Sequence, residues 1–132
     1  MRVLLDTNAY SALIHGRSEV VDHVREAEEV LLSTVVLGEV LYGFQNGSRY
    51  QENRKRLDEF LENPHVQIVT LTPVTSERFG LISANLRRKG KPIPTNDIWI
   101  AAQTIETQSD LISSDPHFGF VEGLSWISFP AH

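Results

Sequence analysis

Short apolar runs alternate along the chain with longer segments in which apolar residues recur every three or four positions. The short runs predict strands, and the helical period predicts helices between them. The predicted strands cover 2–5, 30–32, 66–71, 111–113 and 125–129. The predicted helices cover 7–14, 19–29, 34–44, 48–63, 77–89 and 97–107. This alternation predicts an α/β fold in which a largely parallel sheet of four or five strands carries helices on both faces.

Polar residues at the predicted helix starts indicate how two of these helices are capped. Ser33 precedes the helix over 34–44 and is placed to accept a hydrogen bond from its first free backbone N–H groups. Ser48 and Gln51 have the spacing of a capping box, which predicts that a further helix begins at Ser48. Gly47 between them predicts a turn.

The length and composition of the chain restrict its class. With 132 residues it is expected to form one domain, 1–132, with a core of its own. It has no cysteine, which excludes disulfide frameworks, thiolate zinc sites and cysteine nucleophiles and fits a reducing compartment. No apolar run approaches the roughly 20 residues that a membrane helix needs. A cytoplasmic protein without a membrane partner is therefore expected.

The net charge of −5, from 12 basic and 17 acidic residues, argues mildly against nucleic-acid binding. Bound metal ions change this estimate, because two divalent ions add about four positive charges at the place where they bind. The charge at a candidate site therefore matters more than the total.

Four acidic residues, Asp6, Glu39, Asp97 and Asp115, carry the candidate chemistry. Three have ordinary explanations as well: Asp6 as a helix cap, Asp97 as a carboxylate favoured by a helix N-terminus, and Asp115 as a turn residue before proline. Glu39 is the only charged residue between positions 34 and 44. A buried carboxylate there needs a partner, and a solvent-facing position is the alternative.

The helix that carries Glu39 has a strongly apolar sequence. Its residues Val36, Val40 and Tyr42 are predicted to pack inward, which would leave Glu39 to approach the other acids from the side.

The predicted topology brings the acids towards one edge of the sheet. Asp6 and Asp115 follow strands, and Asp97 lies in the first turn of a helix. Ligands of open α/β sheets bind outside the carboxyl ends of the strands, near the point where the strand order reverses. Clustered carboxylates repel one another, so protons or divalent ions must neutralise them. An all-oxygen set selects Mg²⁺ or Mn²⁺, and a pair of such ions can promote phosphodiester hydrolysis.

The histidines show no metal-binding spacing and are expected at the surface; they are His15, His23, His65, His117 and His132. His117 lies near the predicted cleft, where a turn residue is the favoured interpretation and a phosphate contact or a weak metal ligand is the alternative.

Two basic clusters occur in the predicted helices, one at 49–56 and one formed by Arg87, Arg88, Lys89 and Lys91. A solvated helix face is the ordinary explanation of such a cluster. The second cluster precedes Asp97 closely, so an RNA backbone crossing it on the way to the acids is the functional alternative.

The sequence motifs around the four acids resemble those of PIN-domain ribonucleases, and more narrowly those of VapC-type toxins of toxin–antitoxin pairs. The motifs are LLDTNAY, STVVLGEVLYGF, PTNDIWIAAQ and SSDPHF, and they occur in the family's order over almost the whole chain. The resemblance implies a three-layer α/β/α fold. It also implies that the family's acidic quartet corresponds to the four acids named above.

The last motif departs from the family pattern, which often has threonine before its acid and a second acid two places after it. This chain has Ser114 and His117 at those positions. Ser114 keeps a hydroxyl group, and Asn8 and Ser114 are expected to support the site.

The resemblance implies a Mg²⁺- or Mn²⁺-dependent endoribonuclease that hydrolyses RNA by a metal-activated water and leaves a 5′-phosphate and a 3′-hydroxyl. Asp6 would contact the metals most centrally, Asp97 would be a principal ligand, and Glu39 and Asp115 would complete the set. It also implies a homodimer and a cognate antitoxin. The antitoxin would place a basic side chain near the acids and could carry the toxin into a larger assembly on DNA.

Two other functions fit the same residues. One is an interaction module that keeps the fold without catalysis. The other is a small-molecule phosphohydrolase with Asp6 as nucleophile, although Asn8 replaces the second acid that such enzymes commonly use.

Overall fold

The computed structural model describes residues 1–131, so His132 lies outside the described residues. A 3₁₀ helix, Pro116–Phe120, follows the fourth strand. The strands are β1 Arg2–Leu5, β2 Glu29–Ser33, β3 Val66–Val69, β4 Asp110–Ser113 and β5 Trp126–Ser128. The helices are α1 Thr7–Ile14, α2 Ser18–Glu26, α3 Thr34–Asn46, α4 Tyr50–Glu62, α5 Pro73–Arg88 and α6 Thr95–Glu106.

The five strands form one parallel sheet in the order β3-β2-β1-β4-β5. Leu5 at the end of β1 pairs with Leu32 on one side and with Ile112 on the other. The chain builds the sheet outward from β1 in one direction through β2 and β3, and then in the other direction through β4 and β5. The strand order therefore reverses between β1 and β4, and the predicted three-layer α/β/α fold is confirmed.

The central strand is buried along nearly its whole length. Val3, Leu4 and Leu5 are all 0% exposed, because helices cover both faces of a parallel sheet and its central strands need no polar face. The outer strand β3 is different: Ile68 is 46% exposed, as expected where only one neighbouring strand is present. The continuous apolar run at residues 3–5 was therefore a reliable strand signal.

Helix α3 buries fewer residues than its apolar sequence predicted. Val36 and Val40 are buried, whereas Tyr42 is 68% exposed, so the prediction that Tyr42 packs inward was wrong. The helical period gives the reason: Val40 lies one turn after Val36 on the same face, but Tyr42 lies two residues further, on roughly the opposite face.

The helix that precedes β2 ends earlier than predicted. Its sequence pattern continued to Glu29, but α2 ends at Glu26 and Glu29 begins β2. Glu29 pairs with Arg2 of β1 and also accepts an ion pair from it, with Arg2 Nε 3.3 Å from Glu29 Oε2. The neighbouring strand thus determines where β2 begins.

Two predictions of helix caps had different outcomes. Ser33 caps α3 as predicted, since its hydroxyl accepts a hydrogen bond from Val35 N at 3.0 Å. The capping box predicted at Ser48 was wrong, because α4 begins at Tyr50 and its N-cap residue is Arg49, which makes no side-chain cap. Ser48 lies one residue too early to reach the free N–H groups.

A capping box occurs instead at the start of α5, which begins four residues before the predicted position 77. The hydroxyl of Thr72 accepts a hydrogen bond from Thr75 N, and the hydroxyl of Thr75 accepts one from Thr72 N at 2.9 Å. Both hydroxyls also donate to the carboxylate of Glu106 on α6. These bonds connect the beginning of α5 to the end of α6.

The other strand boundaries are shorter than predicted, since β3 ends at Val69 and β5 covers only Trp126–Ser128. Within residues 1–131, no helix is both long enough and apolar enough to cross a membrane.

The connection between α5 and α6 gives a stability prediction. Thr75→Val keeps the side-chain volume at this fully buried position but leaves Thr72 N and one Glu106 oxygen without their partner. We expect the free energy of unfolding to fall by about 1–3 kcal/mol, since unsatisfied polar groups carry the desolvation cost. Urea unfolding at neutral pH measures this value.

Thr75→Ser is the matched control, because it keeps the hydroxyl and should retain most of the stability. A Thr75→Val protein as stable as the unsubstituted chain would show that the hydroxyl contributes nothing net.

Candidate metal centre at the carboxyl edge of the sheet

Asp6 lies directly after β1 and is held by two hydrogen bonds. Its Oδ1 accepts from Ala9 N at 2.8 Å as the N-cap of α1, and its Oδ2 accepts from the hydroxyl of Ser113. Burial raises the pKa of Asp6 to about 6, against the two hydrogen bonds, which lower it; the charges of Asp115 and Glu39 raise it further. Asp6 is therefore a helix cap and a member of an acidic cluster at the same time.

Ser113 at the end of β4 provides the hydroxyl that contacts the cluster. Besides donating to Asp6, it accepts a hydrogen bond from Asp115 N at 2.9 Å. The sequence analysis chose its neighbour Ser114, because the motif comparison gave no strand register. The pairing of Leu5 with Ile112 places Asp6 beside Ser113, and a sequence alone does not show that pairing.

The two residues expected to support the site lie together elsewhere. Asn8 and Ser114 line a cavity of about 290 Å³ that also includes His15 and Arg17, and none of the four acids lines it. Their supporting role remains a prediction.

Asp115 begins the 3₁₀ helix that follows β4. Its Oδ1 accepts a hydrogen bond from His117 N at 2.9 Å, so the residue also has the turn role that its position before Pro116 suggested. Because β1 and β4 are parallel neighbours, Asp6 and Asp115 emerge at the same edge of the sheet, at the reversal of strand order.

Glu39 reaches this edge from α3, as the sequence analysis expected. Its Oε1 accepts a hydrogen bond from the hydroxyl of Thr7 at 2.9 Å, a partner that the sequence did not reveal. Its charge contributes to raising the pKa values of Asp6 and Asp97. Glu39 is only half-buried.

Asp97 lies in the first turn of α6, where it was predicted. Burial raises its pKa to about 7, and the negative charge and hydrogen bonding of Asp115 raise it further, followed by the charges of Asp6 and Glu39. Each of the other three acids thus acts on Asp97 electrostatically. The structure brings the four predicted acids together in one cleft.

His117 turns its ring towards two of these acids. Its Nδ1 lies 3.0 Å from Asp115 Oδ1 and 3.8 Å from Asp97 Oδ2. This nitrogen is buried and has no hydrogen-bond partner of suitable geometry within residues 1–131. Ligand atoms of Asp97, Asp115 and His117 all lie within 4.8 Å of one another, the spacing needed to hold a metal ion. The prediction of a residue in a turn describes its backbone, but its side chain faces the cluster.

The cluster fits a divalent cation on chemical grounds. Mutually repelling carboxylates raise the pKa of Asp97, and a cation placed among them would remove that repulsion. Carboxylate oxygens are the ligands of Mg²⁺ and Mn²⁺, and the free imidazole nitrogen adds a further donor. In the part of the chain that the structure describes, no second group of three such side chains has this spacing.

The basic cluster of α5 is only partly directed towards the acids. Lys89 Nζ donates to Phe120 O at 2.8 Å, and Lys91 Nζ lies 5.3 Å from the centre of the Phe120 ring. Both lysines therefore contact the end of the 3₁₀ helix whose beginning carries Asp115. Arg87 is exposed, and Arg88 lines a separate cavity beside Glu122.

A mainly apolar groove of about 270 Å³ opens beside Glu39, between α1, α3 and α4. Its lining includes Tyr10, Phe44 and Arg56 of the first basic cluster. The Tyr10 hydroxyl has no hydrogen-bond partner among the residues the structure describes, and burial raises its pKa to about 12 in spite of the nearby charge of Arg56.

The family model of the PIN domain matches residues 3–123, and the chain belongs to the PIN-domain family. The curated relatives bear out the VapC-type resemblance. Ribonuclease VapC2 of Rickettsia felis is 26% identical over 119 residues, and Ribonuclease VapC2 of Haemophilus influenzae is 28% identical over 117 residues. Each match covers 87% of both chains.

Solved structures have the same fold. VapBC2 from Rickettsia felis, bound to a DNA fragment from its promoter, superposes with a TM-score of 0.86 at 24% identity and covers 98% of this chain and 99% of that one. VapBC-1 from nontypeable Haemophilus influenzae gives a TM-score of 0.85 at 22% identity, with 97% and 98% covered. The fold therefore extends over nearly the whole chain.

The raised pKa of Asp97 gives a prediction for the metal-free protein. An acid whose pKa is raised in the folded state is destabilising when ionised, so the penalty is absent below about pH 4, grows as the pH rises and is complete above about pH 7. Asp97→Asn removes it. We expect the variant to be more stable by about 1–2 kcal/mol at pH 8, a value reduced for solvent screening.

Urea unfolding in the presence of a chelator, at pH 4 and pH 8, measures the effect. Asp58→Asn, at an exposed aspartate of α4, is the control and should show no comparable gain. An equal stability difference for Asp97→Asn at both pH values would contradict the proposed repulsion.

Proposed function

We propose that this protein is a Mg²⁺- or Mn²⁺-dependent endoribonuclease and acts as the toxin of a toxin–antitoxin pair. The observation that carries the proposal is the convergence of Asp6, Glu39, Asp97 and Asp115 on one cleft, where their mutual repulsion raises the pKa of Asp97 to about 7. Such a cluster favours a bound cation. Its curated relatives are named ribonucleases, which supports RNA as the substrate.

The four acids would hold the metal ions, which supply Lewis acidity and an activated water for hydrolysis of the phosphodiester bond. Asp97 and Asp115 have the closest ligand atoms, together with His117. Asp6 is fixed by the bonds from Ala9 and Ser113, so one carboxylate orientation is held in place before the ion binds. Thr7 orients Glu39 in the same way.

The RNA backbone would approach along the basic end of α5. Lys89 and Lys91 contact the 3₁₀ helix that begins at Asp115, so their charges lie on the side of the site from which a phosphate chain could enter. Arg87 and Arg88 would extend this path over the helix end. Positive charge here would offset the net charge of −5 locally.

The partner proposed for this toxin is a small antitoxin. The structures with the same fold include toxins solved with their antitoxins, and VapBC2 from Rickettsia felis was solved on promoter DNA. The apolar groove beside Glu39 suits a peptide segment that places a basic side chain on the acids. We further propose a homodimer of the toxin and a larger assembly on DNA through the antitoxin, as well as a cytoplasmic location.

Cleavage of RNA tests the proposal directly. In Mn²⁺ the protein should cut single-stranded or structured RNA and leave 5′-phosphate ends, and a chelator should abolish the cleavage. Asp97→Asn should lower the rate by roughly a hundredfold or more, since it removes a metal-binding carboxylate. Asp58→Asn, which changes charge equally on a remote face, should retain the activity.

Two outcomes would overturn the assignment. Hydrolysis of a generic aryl phosphate without cleavage of RNA would favour the small-molecule phosphohydrolase. A protein inert on both substrates, and unchanged by Asp97→Asn, would favour the interaction module.

The path proposed for RNA has its own test. In the inactive Asp97→Asn background, Lys91→Ala should weaken binding of an oligoribonucleotide and reduce the salt dependence of the affinity by about 0.7 per lost phosphate contact. Fluorescence anisotropy at several salt concentrations measures both quantities. Lys55→Ala, at an exposed lysine of α4, is the matched control. Equal slopes for the two variants would remove the α5 cluster from the binding path.

A further inference from the structure

The side chain of His117 is in an unusual position for a surface histidine. The ring as a whole is 45% exposed, but its Nδ1 is buried and lies 3.0 Å from Asp115 Oδ1 and 3.8 Å from Asp97 Oδ2. The nearer of these oxygens already accepts the backbone N–H of His117 at 2.9 Å. Among the described residues, Nδ1 makes no hydrogen bond of suitable geometry.

A nitrogen in this position has two chemical uses. If the ring carries its proton on Nε2, the lone pair of Nδ1 points into the acidic cluster and can bind a metal ion together with the two carboxylates. If both nitrogens are protonated, the ring is a positive charge that partly replaces a metal ion. The two uses have opposite consequences for metal binding when the ring is removed.

We propose that His117 Nδ1 is a metal ligand beside Asp97 and Asp115, and that this nitrogen makes the site selective for Mn²⁺ over Mg²⁺. The inference rests on the proposed metal-dependent function and extends it to the identity of the ion. The ligand atoms of the three residues lie within 4.8 Å of one another, which Asp6 and Glu39 do not share.

Two physical effects lead to this selectivity. Imidazole suits the softer transition ions, whereas Mg²⁺ prefers oxygen ligands and retains its waters. A neutral imidazole also provides less negative charge than an acid at the same place, and Mg²⁺ depends more strongly on that charge. Both effects favour Mn²⁺, so an oxygen donor at position 117 should reverse the preference.

Metal affinity, measured without RNA, tests the proposal. Mn²⁺ binding is followed by electron paramagnetic resonance of the free ion, and Mg²⁺ binding by its competition with Mn²⁺. His117→Ala should weaken Mn²⁺ binding by roughly tenfold or more, because loss of even a residue that only supports a ligand commonly costs that much. Mg²⁺ binding should change less, so the Mn²⁺-to-Mg²⁺ affinity ratio should fall.

His117→Asp provides the complementary variant, since it places an oxygen ligand at the same position. It should strengthen Mg²⁺ binding and lower the ratio further. His65→Ala, at an exposed histidine next to the outer strand, is the matched control and should leave both affinities unchanged. Circular dichroism of each variant checks that the fold is retained.

Pulsed electron paramagnetic resonance gives a direct signature of the bond. Nitrogen-14 modulation of the Mn²⁺ spin echo is expected in the unsubstituted protein and in His65→Ala, and it should disappear in His117→Ala. Persistence of the modulation in His117→Ala would overturn the proposal. Stronger binding of both ions by His117→Ala would also overturn it and identify the ring as a positive charge.

The failure of this inference is distinguishable from failure of the proposed function. If Mn²⁺ binds and Asp97→Asn weakens it, but His117→Ala does not, the metal centre stands and the histidine is not its ligand. If Mn²⁺ does not bind at all, both proposals are wrong.

Discussion

The parallel pairing of β1 with β4 is the constraint on which the site depends. Leu5 pairs with Ile112, so the residues that follow these strands, Asp6 and Ser113, meet at the reversal of the strand order. The Ser113 hydroxyl then bonds both Asp6 and the backbone of Asp115. A shift of this register would separate all three groups, which links the packing of the apolar central strands to the geometry of the acidic cleft.

The sequence predicted the central part of the fold well for a physical reason. Strands β1 and β4 are covered on both faces, so their apolar runs are continuous and easy to recognise. The four acids could also be predicted, because each follows a strand or lies on a helix near the sheet edge. Long-range partners were beyond such reasoning: Thr7 as the partner of Glu39, and Glu106 as the partner of Thr72 and Thr75, come together only in the folded chain.

The incorrect predictions share one cause, since each rested on a local pattern that tertiary structure overrode. Ser48 and Gln51 have the spacing of a capping box, but the helix starts at Tyr50. Thr72 and Thr75 lack the usual acid or amide at the third position, and yet they form the box because Glu106 of another helix accepts hydrogen bonds from both. Ser114 was chosen over Ser113 because a motif does not define which strand lies next to it.

The ordinary explanations of the acids proved compatible with a metal centre. Asp6 caps α1 through Oδ1 and accepts from Ser113 through Oδ2, and Asp115 accepts from the backbone of His117 through Oδ1. These local bonds fix the direction of each carboxylate before any ion binds, which lowers the entropy lost on binding. Capping therefore contributes to the site: the same hydrogen bonds that begin α1 and the 3₁₀ helix hold the acids close together in spite of their repulsion.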